Sequence, residues 1–188
     1  MSREQKILDA AEKLFSERSF DGVGIDAIGK EAGIVGSGVY RHFASKQEIL
    51  ATLMDQATDA VLMDVPPPTE DPRVDLRGLV STHVQFCLDH HRLADIWQRE
   101  HHILASEHQR RFNRRQHQYI DRWVTCLDAC YPGHPREVLV AAIRAMHALI
   151  SSDTTRRSGS PQVADLAHLL THLTLSALDG LRTIEAPE

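Results

Sequence analysis

Apolar residues recur at helical spacing over most of the chain, and this periodicity restricts the fold class. Near the N-terminus, the residues at positions i, i+4, i+7 and i+8 are Ile7, Ala11, Leu14 and Phe15, which would share one face of a helix. Similar stripes follow in later segments, and no run alternates apolar and polar residues cleanly, as a half-buried strand would. The sequence therefore predicts an all-α protein with about nine helices.

Helix starts in the first fifty residues follow from capping residues. Ser2 with Gln5, and Ser45 with Glu48, have the spacing of a capping box and predict the starts of the first and fourth helices. Gly33 is suited to the end of a short second helix. The second, third and fourth helices are predicted over about residues 25–32, 36–43 and 45–64.

Four prolines between residues 66 and 72 interrupt the helical pattern. Because proline lacks a backbone N–H and clashes with the preceding turn, it cannot continue a helix. We interpret this segment as the joint between a small N-terminal module and a larger helical body, and we predict two domains over residues 1–50 and 51–188. The predicted helices of the body run over about 73–90, 92–104, 106–130, 135–151 and 162–183, with a polar loop at about 151–161.

The charge balance bears on nucleic-acid binding. The chain has a net charge of −5, and residues 1–50 contain seven Lys or Arg against eight Asp or Glu. The chain as a whole therefore does not attract DNA, and any DNA binding must depend on the local placement of a few cations.

Composition excludes several other classes of protein. No run approaches the ~18–20 apolar residues of a membrane span, and the N-terminus lacks the pattern of a secretory signal. Three cysteines without such a signal are typical of reduced thiols. We therefore expect a cytoplasmic protein with no membrane partner. The 12 histidines form no His-Glu-x-x-His motif and the cysteines no Cys-x-x-Cys motif, so we expect no metal, cofactor or catalytic residues.

The segment Ala32-Gly33-Ile34 joins two short predicted helices and indicates a helix-turn-helix, whose second helix enters the major groove of DNA. The residues after it, Val39-Tyr40-Arg41-His42-Phe43 followed by Ser45-Lys46, resemble the TetR/AcrR family of bacterial transcriptional regulators. The resemblance covers residues 4–50 and includes Ile7, Ala10, Ala11, Leu14, Phe15, Glu17, Phe20, Ile28 and Leu50.

The resemblance implies a ligand-responsive DNA-binding regulator, most simply a repressor, rather than an enzyme. It implies a homodimer that binds double-stranded operator DNA and is released by a small effector, for which a lipid-like molecule or an acyl thioester is expected. It places base contacts on the third helix and phosphate contacts around the start of the fourth. The implied DNA-binding residues are Gly36, Ser37, Tyr40, Arg41, His42, Ser45 and Lys46.

The body provides candidates for effector binding and for dimerisation. Aromatic and polar-tipped residues at helical spacing predict an apolar pocket with a few polar groups. The candidate pocket residues are Phe86, Trp97, His101, Phe112, Tyr119, Trp123 and His147. The last two helices are apolar on more than one face, which favours a four-helix dimer interface. The candidate interface residues are Leu139, Ile143, Met146, Leu166, Leu170, Leu173 and Leu178.

Each of these interpretations has an alternative. The aromatic and apolar stripes are also what a close-packed intrachain core requires, Tyr40 could belong to the core of the module, and Lys46 could be a solvated cation. The basic run either pairs with nearby acids or meets an anionic part of a ligand; it consists of Arg110, Arg111, Arg114 and Arg115. The alternative functions are a dimeric helical binding protein with little DNA affinity and a small enzyme that uses histidine.

Overall fold

The computed structural model describes residues 1–152 and 163–184, and every regular element in those ranges is helical. The nine α-helices of the described residues are α1 (Arg3–Arg18), α2 (Ile25–Glu31), α3 (Gly36–Val39), α4 (Lys46–Met63), α5 (Pro72–Asp89), α6 (His91–Glu100), α7 (Ser106–Cys130), α8 (Arg136–Ser151) and α9 (Leu166–Asp179). The predicted all-α fold is confirmed. Within the described ranges, no helix has the length and apolar character needed to cross a bilayer.

Several predicted helix starts are confirmed by their capping bonds. The Ser2 hydroxyl accepts a hydrogen bond from the Gln5 N–H at 3.1 Å, and the Ser45 hydroxyl accepts one from the Glu48 N–H at 3.1 Å. After the proline segment, α5 begins at Pro72, the first helical position, where a missing N–H costs nothing. Most of the predicted loop at 151–161, and the predicted start of the last helix at 162, lie outside the described residues.

Three predicted helix ends differ from the structure. The third helix was expected to reach Phe43, but α3 ends at Val39 and continues as a turn, because two of its four residues are glycine. Glycine costs a helix about 1 kcal/mol relative to alanine, so a short helix with two glycines does not propagate. The sixth and ninth helices also end early, and each continues as a 3-10 turn, at His101–Ile103 and Gly180–Thr183.

The chain divides into two compact units, and the first contains residues 1–59 and 92–114. In this unit α1 packs on α2, and α2 packs on α3. The contact between α2 and α3 requires Gly29, because a Cβ atom on it would lie 3.0 Å from the Cα of Gly36. The core of the helix-turn-helix module is formed by Ile7, Leu14, Phe15, Ile28, Val39, Phe43, Ile49 and Leu50.

The end of α6 is hydrogen-bonded to the module within this first unit. The Glu100 carboxylate, 4% exposed, accepts a hydrogen bond from the backbone N–H of Phe20 at 3.1 Å. The Arg99 guanidinium donates to the carbonyls of Phe15, at 3.3 Å, and Ser16, at 3.1 Å. These bonds satisfy backbone groups at the end of α1 and in the loop after it, so the compact unit includes residues well beyond position 50.

The second unit contains residues 60–91 and 115–188, of which 153–162 and 185–188 lie outside the described residues. Here α5, α8 and α9 pack on one another. Trp123 and Leu127 of α7 are fully buried in this unit. The buried apolar residues of α5, α8 and α9 are Leu76, Leu79, Val80, Val84, Phe86, Leu139, Ile143, Met146, Ile150, Leu170 and Leu178.

Candidate nucleic-acid interface and effector site

The residues predicted to contact DNA lie on α3, on the turn after it and at the start of α4. Ser37, Arg41 and His42 are exposed, and Tyr40 is 58% exposed although it is a large aromatic residue. Gly36, Ser45 and Lys46 are half-buried. Because Val39 and Phe43 are buried between these positions, the intervening side chains are directed to the surface. For Tyr40, this exposure excludes the alternative that it belongs to the core.

Val35 is exposed in the same segment and was not among the predicted contacts. Its side chain is 72% exposed immediately before α3 and provides no cap for that helix. In the sequence it stood out only as an apolar residue where a capping serine or threonine would be expected. An exposed apolar group beside a polar recognition segment is suited to contact with a thymine methyl group.

The Lys46 ammonium is held inside the module. Its Nζ atom donates hydrogen bonds to the carbonyls of Phe20, at 2.7 Å, and Val23, at 2.9 Å. The same ammonium lies 4.0 Å from the centroid of the Phe20 ring, a cation–π contact. Two of its three N–H groups are therefore occupied by the loop between α1 and α2.

Two further cations lie close to the turn of the helix-turn-helix. Arg3 and Lys6 of α1 are exposed and line a shallow groove together with Ala32, Gly33 and Ile34. Gly33 has φ +72°, a backbone conformation that favours glycine and lets the chain turn sharply here. The sequence had no signal for this placement beyond the two positive charges in the first turn of α1.

In the second unit, three of the predicted pocket residues meet His83, a residue outside the predicted set. We call Tyr119, Trp123, His147 and His83 the aromatic cluster. The rings of His83 and His147 stack with their centroids 4.1 Å apart, and His83 Nδ1 is hydrogen-bonded to Tyr119 Oη at 3.1 Å. The Trp123 ring meets His147 edge-on at 5.4 Å. His83 could have been found from the sequence through its spacing of three from Phe86, with which it has a ring contact at 6.3 Å.

The side chains of the aromatic cluster are uncharged at neutral pH. Burial holds the pKa of His83 well below its usual range, with a further contribution from His147. Burial also lowers the pKa of His147 to about 4 and raises the pKa of Tyr119. The physical cause is common to all three: removing a charged side chain from water costs free energy, so the neutral form is favoured.

Two buried polar atoms of the aromatic cluster have no hydrogen-bond partner. They are Nε1 of Trp123, whose side chain is fully buried, and Nε2 of His147. The Trp123 N–H lies toward Tyr119 and partly offsets the increase that burial causes in the pKa of Tyr119, but no acceptor meets this N–H at hydrogen-bonding geometry. Buried polar groups in folded proteins are nearly always paired, so these two atoms call for an explanation.

The other four predicted pocket residues lie outside the aromatic cluster, and most of them are in the first unit. Phe86 is in the second unit, whereas Trp97, His101 and Phe112 belong to the first. Phe112 has ring contacts with Trp97, at 5.1 Å, and with His101, at 6.0 Å. The predicted pocket residues therefore form two groups, one in each unit, and the aromatic cluster holds three of the seven.

Most of the predicted interface residues are buried within the chain itself. The buried residues are Leu139, Ile143, Met146, Leu170 and Leu178, none of them more than 5% exposed. These five side chains belong to the core of the chain itself, because a buried side chain has little surface left to contact a partner. Leu166 is half-buried, and Leu173 is 45% exposed beside Leu169, which is 39% exposed.

Two further possibilities from the sequence are a ligand contact by the basic run and a metal site. In the basic run, Arg111 forms an ion pair with Asp55 at 2.9 Å, as the interpretation that this run pairs with nearby acids expects. Within the described residues, no group of three or more His, Cys, Asp or Glu side chains is placed to hold a metal ion.

Burial raises the pKa of Cys126 to about 12, which keeps its thiol protonated and poorly nucleophilic.

An exposed short recognition helix on a buried three-helix core, followed by a larger helical body, defines the helix-turn-helix class of DNA-binding proteins. Residues 7–53 match the family model for bacterial regulatory proteins of the tetR family. Residues 7–53 therefore form a DNA-binding module of the tetR family, which confirms the resemblance found in the sequence.

Known relatives agree with this assignment. The HTH-type transcriptional repressor KstR2 of Mycobacterium tuberculosis is 32% identical over 109 residues, which cover 56% of this chain and 54% of KstR2. The sequence match thus spans about half the length of that relative. The solved structure of the ketosteroid transcriptional regulator KstR2 of the same organism superposes with a TM-score of 0.80 at 25% identity, covering 95% of this chain and 94% of KstR2. A tetR-family regulatory protein from Rhodococcus RHA1 superposes over the full length of both chains with a TM-score of 0.81 and 18% identity.

Proposed function

We propose that this protein is a dimeric transcriptional repressor that binds operator DNA through α3 and is released from it by a small effector. The observation that carries the proposal is the exposed segment of α3 and its following turn, supported on the buried core of a tetR-family module. KstR2 of Mycobacterium tuberculosis is a transcriptional repressor, which supports the direction of regulation.

The DNA face combines base contacts with a small number of phosphate contacts. Ser37, Tyr40 and Arg41 are the proposed polar readers of base edges, and Val35 adds an apolar contact. His42 and the N-terminus of α4 at Ser45 are proposed to meet phosphates, as are Arg3 and Lys6 on the other side of the recognition segment. With two of its N–H groups bound to backbone carbonyls, Lys46 acts mainly by fixing the loop beneath this surface.

The proposed dimer pairs the exposed faces of α8 and α9 of two chains. On α9 the exposed apolar side chains are those of Leu169 and Leu173. On α8 the exposed positions Ala141, Ala145 and Ala148 follow one another at helical spacing and present small side chains. Small residues let two helices approach closely, and a two-fold dimer presents two recognition helices to successive major grooves.

The effector is proposed to bind in the second unit, in contact with the aromatic cluster. The surrounding core is apolar, which suits a lipid-like molecule or the acyl part of a thioester. The name of the KstR2 structure associates that relative with ketosteroids, so rigid apolar molecules of this kind belong to the same group of candidates. Binding that favours one arrangement of the dimer would shift the population away from the arrangement that fits DNA.

The DNA-binding part of the proposal is tested by selecting duplexes from a random pool with the full-length protein at fixed salt. We expect enrichment of an inverted repeat with half-sites about one helical turn, ~34 Å, apart or at a multiple of that spacing. Tyr40→Ala should reduce affinity for the enriched duplex at least tenfold, equivalent to about 1.4 kcal/mol. Val74→Ala, which removes an exposed apolar side chain from α5, is the matched control. A pool without enrichment, or a Tyr40→Ala protein that binds like the wild type, would contradict the proposal.

A further inference from the structure

The aromatic cluster contains two atoms whose hydrogen-bonding capacity is unused. Trp123 Nε1 and His147 Nε2 are buried and unpartnered, and the two rings lie 5.4 Å apart. Leaving such a group unpaired costs more free energy than a hydrogen bond contributes, so a core selected only for stability would have an apolar residue here. Two unpaired groups on neighbouring rings point to a partner that is not part of the chain.

The chemistry of the two atoms defines the partner. The indole N–H only donates, so its partner must carry an acceptor. His147 Nε2 donates when the proton of the neutral ring lies on that nitrogen, and one carbonyl oxygen has two lone pairs to receive both bonds. The four side chains of the cluster bear no charge near neutral pH, because burial holds the pKa of both histidines below the usual range. A carboxylate placed among them would lose its hydration without gaining a counter-ion from the cluster.

We propose that the aromatic cluster recognises an uncharged carbonyl oxygen on an otherwise apolar effector, with Trp123 Nε1 and His147 Nε2 as the two hydrogen-bond donors. His83 positions His147 by stacking on it, and the Tyr119 hydroxyl fixes His83 through the bond to Nδ1. The inference rests on the proposed function, since it names the chemical group of the effector that the proposed effector site recognises. Ketones and thioesters both offer this group, whereas free fatty acids do not.

The test measures the affinity of the full-length protein for matched pairs of probes by isothermal titration. Androstenedione, a steroid diketone, is compared with androstane, which has the same ring skeleton without oxygen. The N-acetylcysteamine thioester of octanoic acid is compared with octanoate. We expect at least one carbonyl probe to bind about tenfold or more tightly than its partner, as one or two buried hydrogen bonds require. The steroid pair and the thioester pair distinguish the two sources of the carbonyl group.

Two variants that remove the proposed donors and keep an apolar side chain assign the effect to the cluster. Trp123→Phe and His147→Leu should each weaken binding of the preferred carbonyl probe about tenfold and leave binding of its matched partner, androstane or octanoate, unchanged. Tyr131→Phe, directly after the end of α7, removes a hydroxyl that donates to Asp179, and this variant should bind every probe like the wild type.

The wild-type comparison does not depend on the stability of any variant. Binding of neither carbonyl probe, equal binding within both pairs, or unchanged affinity in both variants would overturn the inference. Because affinity for the selected DNA duplex is measured on the same preparations, intact DNA binding with no carbonyl preference refutes only this inference. Loss of DNA selection would refute the proposed function instead.

Discussion

At the scale of single residues, Lys46 shows how position in the sequence and position in space can diverge. The sequence predicts a phosphate contact from its place at the start of α4. Its ammonium instead bonds two carbonyls of the loop between α1 and α2 and lies over the Phe20 ring. A side chain of this length reaches either target, and only the fold decides which carbonyls are left without other donors. The contacts of Lys46 within the module could therefore not be read from the sequence, and its contact with a phosphate stays a prediction.

We predict that Lys46→Met reduces the free energy of unfolding by about 1.5–3 kcal/mol, because hydrogen bonds from a charged donor are lost while the apolar stem is retained. Chemical denaturation of both proteins measures this. The slope of log affinity against log salt for DNA provides the second measurement. A slope unchanged from wild type agrees with a positioning role, whereas a slope smaller by about 0.9 would assign one direct phosphate contact. Unaltered stability would contradict the structural role.

The two half-buried histidines of the aromatic cluster, His83 and His147, make stability depend on pH. Above about pH 6.5, His147 is neutral in both the folded and the unfolded chain and contributes no pH dependence. As pH falls from 6.5 toward the folded pKa of about 4, only the unfolded chain takes up the proton, so the folded state loses stability. The loss attributable to this residue reaches at most about 3 kcal/mol near pH 4.

His147→Leu should therefore flatten the pH dependence of unfolding between pH 6.5 and 4. At pH 7.5 it should also raise the melting temperature, since an unpaired buried nitrogen is replaced by an apolar group of similar volume. Thermal melts of both proteins across this pH range provide the measurement. Parallel curves for the two proteins would mean that His147 titrates normally in the folded state.

At the scale of elements, the sequence predicted which segments are helical better than where they end. Capping residues such as Ser2 and Ser45 act locally, through one hydrogen bond within a turn, and could be recognised without the fold. The end of α3 at Val39 depends on a balance between two glycines and the packing of α2 against this helix. Because packing involves residues distant in sequence, such a boundary cannot be settled from local pattern alone.

The glycines of the helix-turn-helix should respond to alanine in opposite directions. A Cβ on Gly38 would have its nearest contact at 3.7 Å from Ile34 Cδ1, which is ordinary packing, so Gly38→Ala should stabilise by up to about 1 kcal/mol. A Cβ on Gly29 would meet the backbone of α3 at 3.0 Å, so Gly29→Ala should destabilise. Differential scanning calorimetry of the two variants measures both changes as shifts in melting temperature. A lower melting temperature for Gly38→Ala would show that the backbone of α3 leaves no room for a side chain there.

At the scale of the whole molecule, sequence reasoning identified the family, the helical body and most of the aromatic cluster. It did not anticipate that residues 92–114 would join the first unit. It left open whether the predicted interface residues face a second copy or the chain's own core, and most of them are buried within the chain. An apolar stripe has the same spacing whether it faces its own core or a second copy. Only the structure distinguishes Leu170, which is buried in the chain's own core, from Leu173, which is exposed.

Leu173→Arg should convert the proposed dimer to a monomer that keeps its fold. The side chain is 45% exposed in the single chain, so the charge remains solvated there, whereas in a dimer it would be buried without a partner. Sedimentation velocity measures the mass, and circular dichroism monitors helix content. Val74→Arg is the matched control, because Val74 is 55% exposed but lies on α5. A Leu173→Arg protein that sediments like the wild type would exclude this face of α9 from the interface.

The even balance of charges in residues 1–50 determines how such a protein searches for its site. Affinity for unrelated DNA comes almost entirely from neutralised phosphates, and this region offers seven basic groups against eight acidic ones. For the proposed repressor we therefore expect fast dissociation from random sequence and little sliding along the duplex. We then expect few copies to be held on the rest of the chromosome, so that a small number of molecules would suffice to occupy the proposed operator and a small amount of the proposed effector to release them.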